Sequence, residues 1–178
     1  MIRIGIIGNI GSGKSYVAQN FGYPVFNADY EVAKLYQQDK KIFTKLKKSL
    51  PKYIQSFPIK KKEVSDAILA NKNNLKKIVK IVHTEIRKKM NDFLNKHKSR
   101  KFVILDIPLL LENKINKKKD ILVFVQSNQS DILKRLKKRK NFNQKIFKKF
   151  KTIQYPISYK RKKSDFIIKN NFKKNSVI

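Results

Sequence analysis

The sequence feature that most constrains the fold is the glycine-rich octapeptide at residues 8–15, which fits the G-x-x-x-x-G-K-[ST] pattern at every fixed position. Residues 2–7 before it form an apolar, β-branched run that is typical of a buried strand. Residues 16–21 after it can continue as a helix. The sequence therefore predicts a strand, a phosphate-binding loop and a helix in succession.

Each residue type in this loop suits phosphate binding for a different chemical reason. Glycines let the backbone turn tightly and bring N–H groups toward phosphate oxygens, where a helix N-terminus adds partial positive charge. We expect Lys14 to reach the β- and γ-phosphates and the Ser15 hydroxyl to ligate Mg²⁺. The alternative, a glycine-rich turn that binds nothing, is disfavoured by the flanking elements. The residues expected to hold ATP are Gly8, Asn9, Ile10, Gly11, Ser12, Gly13, Lys14, Ser15 and Tyr16.

Composition excludes several kinds of site and of protein. The 178 residues include no cysteine, which removes disulfides, zinc–thiolate clusters and thiol catalysis, and the length suits one α/β domain with a buried core. No apolar stretch approaches the ~20 residues of a membrane helix, and the N-terminal run does not resemble a signal peptide. We expect a cytoplasmic protein without membrane contact, as a monomer or small homo-oligomer.

The formal charge of +32 permits a nucleic-acid partner, because polyanions attract dense lysine. The lysines are scattered along the chain as pairs and triplets, however, and form no single basic tail. We therefore favour a solvated lysine surface and expect no specific nucleic acid, although part of the field can steer anionic ATP.

A second strand is predicted at residues 23–26, with Asn-Ala-Asp at its carboxyl end. Ligands of open parallel sheets bind beyond the carboxyl ends of strands, so Asp29 can orient or deprotonate an attacking hydroxyl. Aspartate is also a common N-cap, here for a helix over residues 30–36. From position alone the two interpretations stay equally open.

The middle of the chain reads as helical. We expect broken helix and loop at residues 39–62 and a short helix at residues 64–71. Apolar residues that recur at three- and four-residue steps through Phe93 predict a long amphipathic helix after it. His83 lies beside that apolar stripe, where a packed or solvated histidine is more common than a ligand.

A third strand, residues 102–106, ends on Asp106, which can hold a metal through water opposite Ser15. The following Ile-Pro-Leu-Leu-Leu-Glu, residues 107–112, predicts a turn that places leucines in the core. Further strands are predicted at residues 121–125 and 166–168. This alternation with helices argues for a mainly parallel sheet covered on both faces.

A basic helix is predicted over residues 131–140, and a later helical run ends near Lys163. Arg135 and Arg139 are four residues apart and would share one helical face. Such a face can clamp phosphates as negative charge develops, with help from Lys160, although plain surface charge explains each residue equally well.

Together these residues resemble the dephospho-CoA kinase family. The resemblance depends on the phosphate loop, on residues 27–29 and 107–112, and on the late runs 154–160 and 164–170, which follow the family's order. It implies a nucleotide-kinase-like three-layer α/β/α fold with a P-loop, and transfer of the ATP γ-phosphoryl to the ribose 3′-hydroxyl of dephospho-CoA with Mg²⁺. The implied layout is a core at about 1–38, 100–130 and 164–172, a helical substrate region at about 39–99 and a lid at about 131–163.

The resemblance also implies roles for individual residues. Asp29 matches the acidic residue near the acceptor hydroxyl, Arg139 and Lys160 match basic lid positions, and the long helix with His83 matches the substrate-binding helical region. The substrate side would comprise Asp29, His83, Pro108, Leu109, Leu110 and Lys160.

The chain departs from the family pattern at three places. Thr84 follows His83 where the family has proline. Ser164 precedes Asp165 where the family usually has a small residue, and Asn171-Phe172 follow Asn170 where the family has a glycine. The chain also ends at Ile178, earlier than many relatives, so we expect a shortened or missing last helix. The alternatives are another small P-loop nucleoside or nucleotide kinase and, less favoured, a nucleic-acid-binding P-loop protein.

Overall fold

A computed structural model describes residues 1–139 and 142–173 of the chain. Its five strands form one parallel sheet in the order β2-β3-β1-β4-β5. The strands are β1 Ile2–Gly8, β2 Val25–Asn27, β3 Phe102–Asp106, β4 Ile121–Gln126 and β5 Phe166–Lys169. This sheet confirms the predicted α/β class, and the predicted strands lie within a residue or two of the observed ones.

Eight helices accompany the strands within the described residues. They are α1 Lys14–Gln19, α2 Ala28–Gln38, α3 Lys40–Ser49, α4 Lys61–Ala70, α5 Lys72–Lys96, α6 Gln129–Lys137, α7 Gln144–Lys151 and α8 Ile157–Lys163. In the described chain no helix is both long and apolar enough to cross a membrane.

The chain divides into two compact units. The first comprises Met1–Asn27 and the chain from Lys96 onward, and therefore holds the whole sheet. Its core is built of β-branched residues from three adjacent strands, packed against Val17 and Ala18 of α1. Burial on both faces explains why these strands read as continuous apolar runs instead of alternating ones.

The second unit, Ala28–Asn95, is helical. Helix α5 buries one stripe, Ile78, Val82, Ile86 and Met90, at the four-residue spacing that the sequence predicts. Helix α3 begins after Asp39, whose carboxylate accepts a hydrogen bond from the Ile42 N–H at 2.9 Å and so caps the helix.

The sequence misplaced one helix end and missed one helix. Helix α6 spans Gln129–Lys137 and ends before Arg139, and the predicted end of that helix at Lys140 lies outside the described residues. Helix α7 was not predicted. Its start is signalled by Asn143, whose side chain accepts from the Ile146 N–H at 3.0 Å. The expected shortening of the last helix concerns residues beyond 173, which are not described.

Candidate active site

The phosphate loop lies at the carboxyl end of β1, at the centre of the sheet. Gly13 adopts φ 91°, a left-handed conformation that residues with a Cβ rarely tolerate. A Cβ at this position would also lie 2.3 Å from Asn170 Nδ2. Glycine at this position of the sequence pattern is therefore required both by the backbone conformation and by the close contact with Asn170.

The Lys14 ammonium lies inside this loop. Its Nζ donates to the Asn9 carbonyl at 2.9 Å and to the Gly8 carbonyl at 3.3 Å. Both acceptors belong to the loop itself, and the Lys14 charge also acts on the Asp106 carboxyl. The contact of Lys14 with nucleotide phosphates stays a prediction.

Asp106 is buried beside the loop with 3 % exposure, at the carboxyl end of β3. It accepts hydrogen bonds from the Ser15 side chain and, at 2.8 Å, from Asn27 Nδ2. Burial raises the pKa of the Asp106 carboxyl above its usual value, while the Ser15 hydrogen bond and the Lys14 charge lower it in part. Sequence reasoning placed Asp106 opposite Ser15 but missed Asn27, which lies opposite Asp106 in the β2–β3 register.

This donor set fits a magnesium ion. A serine hydroxyl and a carboxylate are hard oxygen ligands, which Mg²⁺ prefers, and Mg²⁺ usually takes its remaining ligands from phosphates and water. Over residues 1–139 and 142–173 there is no group of three or more His, Cys, Asp or Glu side chains that could hold a metal alone. Ser15 and Asp106 are therefore the protein groups suited to a metal that arrives with a nucleotide.

The raised pKa of Asp106 predicts a stability effect. Because the folded state disfavours the ionised carboxyl, Asp106→Asn should raise the free energy of unfolding at about pH 7 in chelator without nucleotide. As the pH falls through the raised pKa, wild-type Asp106 protonates, so the advantage of the variant should shrink. Urea unfolding at neutral and acidic pH measures this, with exposed Asp92→Asn as the control. An Asp106→Asn protein less stable than wild type at neutral pH would contradict the argument.

The segment after β3 carries a buried ion pair that was not foreseen. Leu110 and Leu111 are buried, as predicted, and Leu109 has φ 58°, which is unusual for a residue with a Cβ. Glu112 Oε1 accepts from Lys160 Nζ at 3.1 Å and from the Tyr155 N–H at 2.9 Å. The segment is therefore tied to the start of α8.

Lys160 is buried, which the sequence did not predict. The residue is only 2 % exposed, and its charge is matched by a Glu112 side chain that is itself 7 % exposed. Lys160 is thus paired with the 107–112 segment, and its role in the reaction stays a prediction.

The ion pair gives a second stability prediction. Lys160→Met leaves the Glu112 carboxylate buried without its cation and should lower the free energy of unfolding by about 3 kcal/mol. Adding Glu112→Gln should restore part of that loss. Chemical denaturation measures both, with exposed Lys162→Met as the matched control. Equal stability of the Lys160 and Lys162 variants would show that the pair is not needed.

The predicted arginine face is wrong. Arg135 belongs to α6, but Arg139 follows the helix end, so the two do not share a helical face. The Arg135 guanidinium lies over the Phe172 ring, with Cζ 4.3 Å from the ring centroid. Arg139 is exposed.

A cavity of about 250 Å³ adjoins Asn9 and Ile10 of the loop. Its other walls come from α6, α7 and the turn before α8, and they are mostly apolar. The first variable residues of the loop thus border on the region that the resemblance assigns to a lid.

Asp29 and His83 lie in the helical unit. Helix α2 begins at Ala28, so Asp29 is its exposed second residue, and its alternative assignment as an N-cap is wrong. His83 is half-buried on α5. Burial lowers the pKa of its imidazole, and the Arg87 charge lowers it further.

Comparisons with known proteins agree on one family. The family model described as dephospho-CoA kinase matches residues 2–175. Dephospho-CoA kinase of Wolbachia pipientis wMel is 36 % identical over 179 residues, covering 98 % of this chain and 91 % of the relative. The corresponding protein of the Wolbachia of Brugia malayi is 33 % identical over 180 residues, covering 98 % and 92 %.

Solved structures support the same fold. The crystal structure of TT1252 from Thermus thermophilus superposes with a TM-score of 0.77 at 26 % identity, covering 96 % of this chain and 88 % of the other. Dephospho-CoA kinase from Campylobacter jejuni has a TM-score of 0.58 at 24 % identity, covering 96 % and 89 %, and shows the fold alone. The chain belongs to the dephospho-CoA kinase family, whose activity is ATP-dependent transfer of a phosphoryl group to a hydroxyl of dephospho-CoA in coenzyme A biosynthesis.

Proposed function

We propose that the acceptor is the ribose 3′-hydroxyl of dephospho-CoA, that Mg²⁺ accompanies ATP, and that Asp29 takes the proton of the attacking hydroxyl. The observation that carries the metal assignment is the hydrogen bond between Ser15 and buried Asp106, close enough to Lys14 for its charge to act on the carboxyl. The assignment of the 3′-hydroxyl and of Asp29 depends on the family resemblance.

The chain's own residues act mainly by position and charge, as in other phosphoryl transfers. Loop N–H groups and Lys14 hold the β- and γ-phosphates, and Arg139 adds positive charge as negative charge develops. Ser15 and Asp106 would hold Mg²⁺, which when bound neutralises phosphate charge. Asp29, which follows β2 by two residues, accepts the acceptor proton.

On the acceptor side we propose contacts from His83, Pro108 and Leu109. Pro108 and Leu109 are partly exposed, and the left-handed Leu109 is the kind of local strain that clusters at functional sites. Leu110 and Lys160 are buried and would act by holding this segment in place. We also propose the division into core, helical substrate region (about 39–99) and lid (about 131–163).

We further propose that the protein works in the cytoplasm as a monomer or small homo-oligomer without a specific nucleic-acid partner. The absence of cysteine fits a reducing compartment. The scattered lysines fit weak, salt-sensitive binding to polyanions in place of sequence recognition.

Acceptor analogues test the position of transfer. Dephospho-CoA and its 2′-deoxy analogue should both be phosphorylated, whereas the 3′-deoxy analogue should give no product. Phosphorus NMR of the product should place the new phosphate on the 3′ oxygen. Phosphorylation of the 3′-deoxy analogue at a comparable rate would contradict the proposal.

A further inference from the structure

The phosphate loop is tied to the rest of the sheet through one carbonyl group. The Ser12 carbonyl oxygen accepts a hydrogen bond from Ser127 Oγ at 2.9 Å and another from Asn170 Nδ2 at 3.0 Å. Ser127 follows β4 and Asn170 follows β5, so two neighbouring strands contribute one donor each. The Ser12 hydroxyl has no hydrogen-bond partner within the described residues, so the carbonyl makes the tie.

The amide of Asn170 is itself held in one orientation. Its Oδ1 accepts from the Phe172 N–H at 2.9 Å, and its backbone N–H donates to the Gln126 carbonyl at 2.8 Å. With Oδ1 occupied on one side, Nδ2 faces the loop. Asn170 is 3 % exposed, so water has little access to compete for these bonds.

Because the peptide is planar, the two hydrogen bonds to the Ser12 carbonyl also fix the direction of the Gly13 N–H group. In a planar trans peptide the C=O of Ser12 and the N–H of Gly13 point in opposite directions. Two donors on the Ser12 oxygen therefore fix the Gly13 N–H pointing away from Ser127 and Asn170. Reversing this peptide would break both hydrogen bonds, each worth about 1 kcal/mol.

The close contact with Asn170 also requires glycine at position 13. Any Cβ at Gly13 would meet Asn170 Nδ2 at 2.3 Å, so the close approach of the asparagine depends on the glycine. The Gly13 φ of 91° is the backbone conformation that accompanies the fixed peptide.

We propose that Asn170 and Ser127 are positioning residues of the kinase reaction, which hold the Gly13 N–H in the direction that receives a nucleotide phosphate. They touch neither phosphate nor acceptor and act through the Ser12–Gly13 peptide. The proposal rests on the function of the loop in holding ATP and adds two residues, far apart in sequence, on which that function depends.

The test compares binding of ATP with binding of adenosine, which has the same base and sugar but no phosphate. Asn170→Ala should weaken ATP binding about tenfold and Ser127→Ala about fivefold, while adenosine binding changes less than twofold, as expected for loss of one hydrogen bond in each case. The double variant should lose about fiftyfold, the product of the two single effects, since no donor then remains. Exposed Asn171→Ala and Ser130→Ala are the matched controls and should bind ATP like wild type.

Steady-state kinetics provides a second readout. kcat/KM for ATP should fall in the same order, with KM for dephospho-CoA within twofold of wild type.

Equal losses of ATP and adenosine affinity would overturn the proposal, because they would place Asn170 at the base instead of behind the loop. Unchanged ATP affinity in folded Ser127→Ala and Asn170→Ala would also overturn it. If Asn170→Ala does not fold, Ser127→Ala, which loses only a partly buried hydroxyl, decides the question. The binding measurements need no acceptor, so their outcome is independent of the acceptor's identity.

Discussion

Replacing Lys14 by alanine is expected to lower turnover at saturating ATP by about a hundredfold or more. The Lys14 ammonium lies inside the loop, where it donates to the Asn9 and Gly8 carbonyls at 2.9 and 3.3 Å. Its loss removes a charge that is worth most in the transition state, when the phosphoryl group moves.

The control for Lys14 is Lys118→Ala, which removes the same charge from an exposed loop position in a chain of +32. Lys118→Ala should retain wild-type turnover, which separates the local role of Lys14 from the general field of the protein. A coupled ADP-release assay measures both variants. Lys14→Ala turnover within tenfold of wild type would contradict the assigned role.

The second large effect concerns Asp29. Asp29→Asn keeps the size and polarity of the side chain but removes the proton acceptor, and we expect turnover to fall by about a hundredfold or more. KM for ATP and for dephospho-CoA should change only a few-fold, because the amide can still hydrogen-bond. Loss of a negative charge from the first turn of α2 should cost less than about 1 kcal/mol of stability, so the variant should remain folded.

Asp66→Asn is the matched control for Asp29, since Asp66 is an exposed carboxylate on α4 of the same helical unit. It should leave turnover unchanged. Rapid-quench measurement of the first turnover distinguishes the phosphoryl-transfer step from product release. Near-normal transfer by Asp29→Asn would show that Asp29 is not the proton acceptor and that another group accepts the proton.

The parts of the site that the sequence predicted are those encoded locally. The phosphate loop needs left-handed glycine at Gly13, and this requirement leaves a fixed spacing in the sequence. Asp106 was found because it ends a buried apolar run, and parallel strands place their carboxyl ends at one edge.

The parts that were missed depend on contacts between distant residues. Ser12 and Asn170 are 158 residues apart, and Glu112 and Tyr155 are 43 apart, so no local pattern connects them. Lys160 could not be told from its many exposed neighbours, because burial of a lysine requires a partner that only the fold supplies. The end of α6 before Arg139 was missed because no glycine or proline marks it.

Phe172 belongs to the run Asn171-Phe172, at which the chain departs from the family pattern. It adopts φ 63°, a conformation that glycine takes more readily, and its ring lies under the Arg135 guanidinium. The strain is thus offset in part by an aromatic contact that a glycine would lack.

We expect the carboxyl edge of the sheet to serve phosphoryl transfer from ATP to dephospho-CoA. The most direct measurement is ADP release by the purified full chain with Mg²⁺ and ATP, with dephospho-CoA or a panel of nucleosides and nucleoside monophosphates as acceptor. We expect ADP and coenzyme A in equal amounts with dephospho-CoA, and only background release with the panel. Phosphorylation of a nucleoside monophosphate without phosphorylation of dephospho-CoA would contradict it.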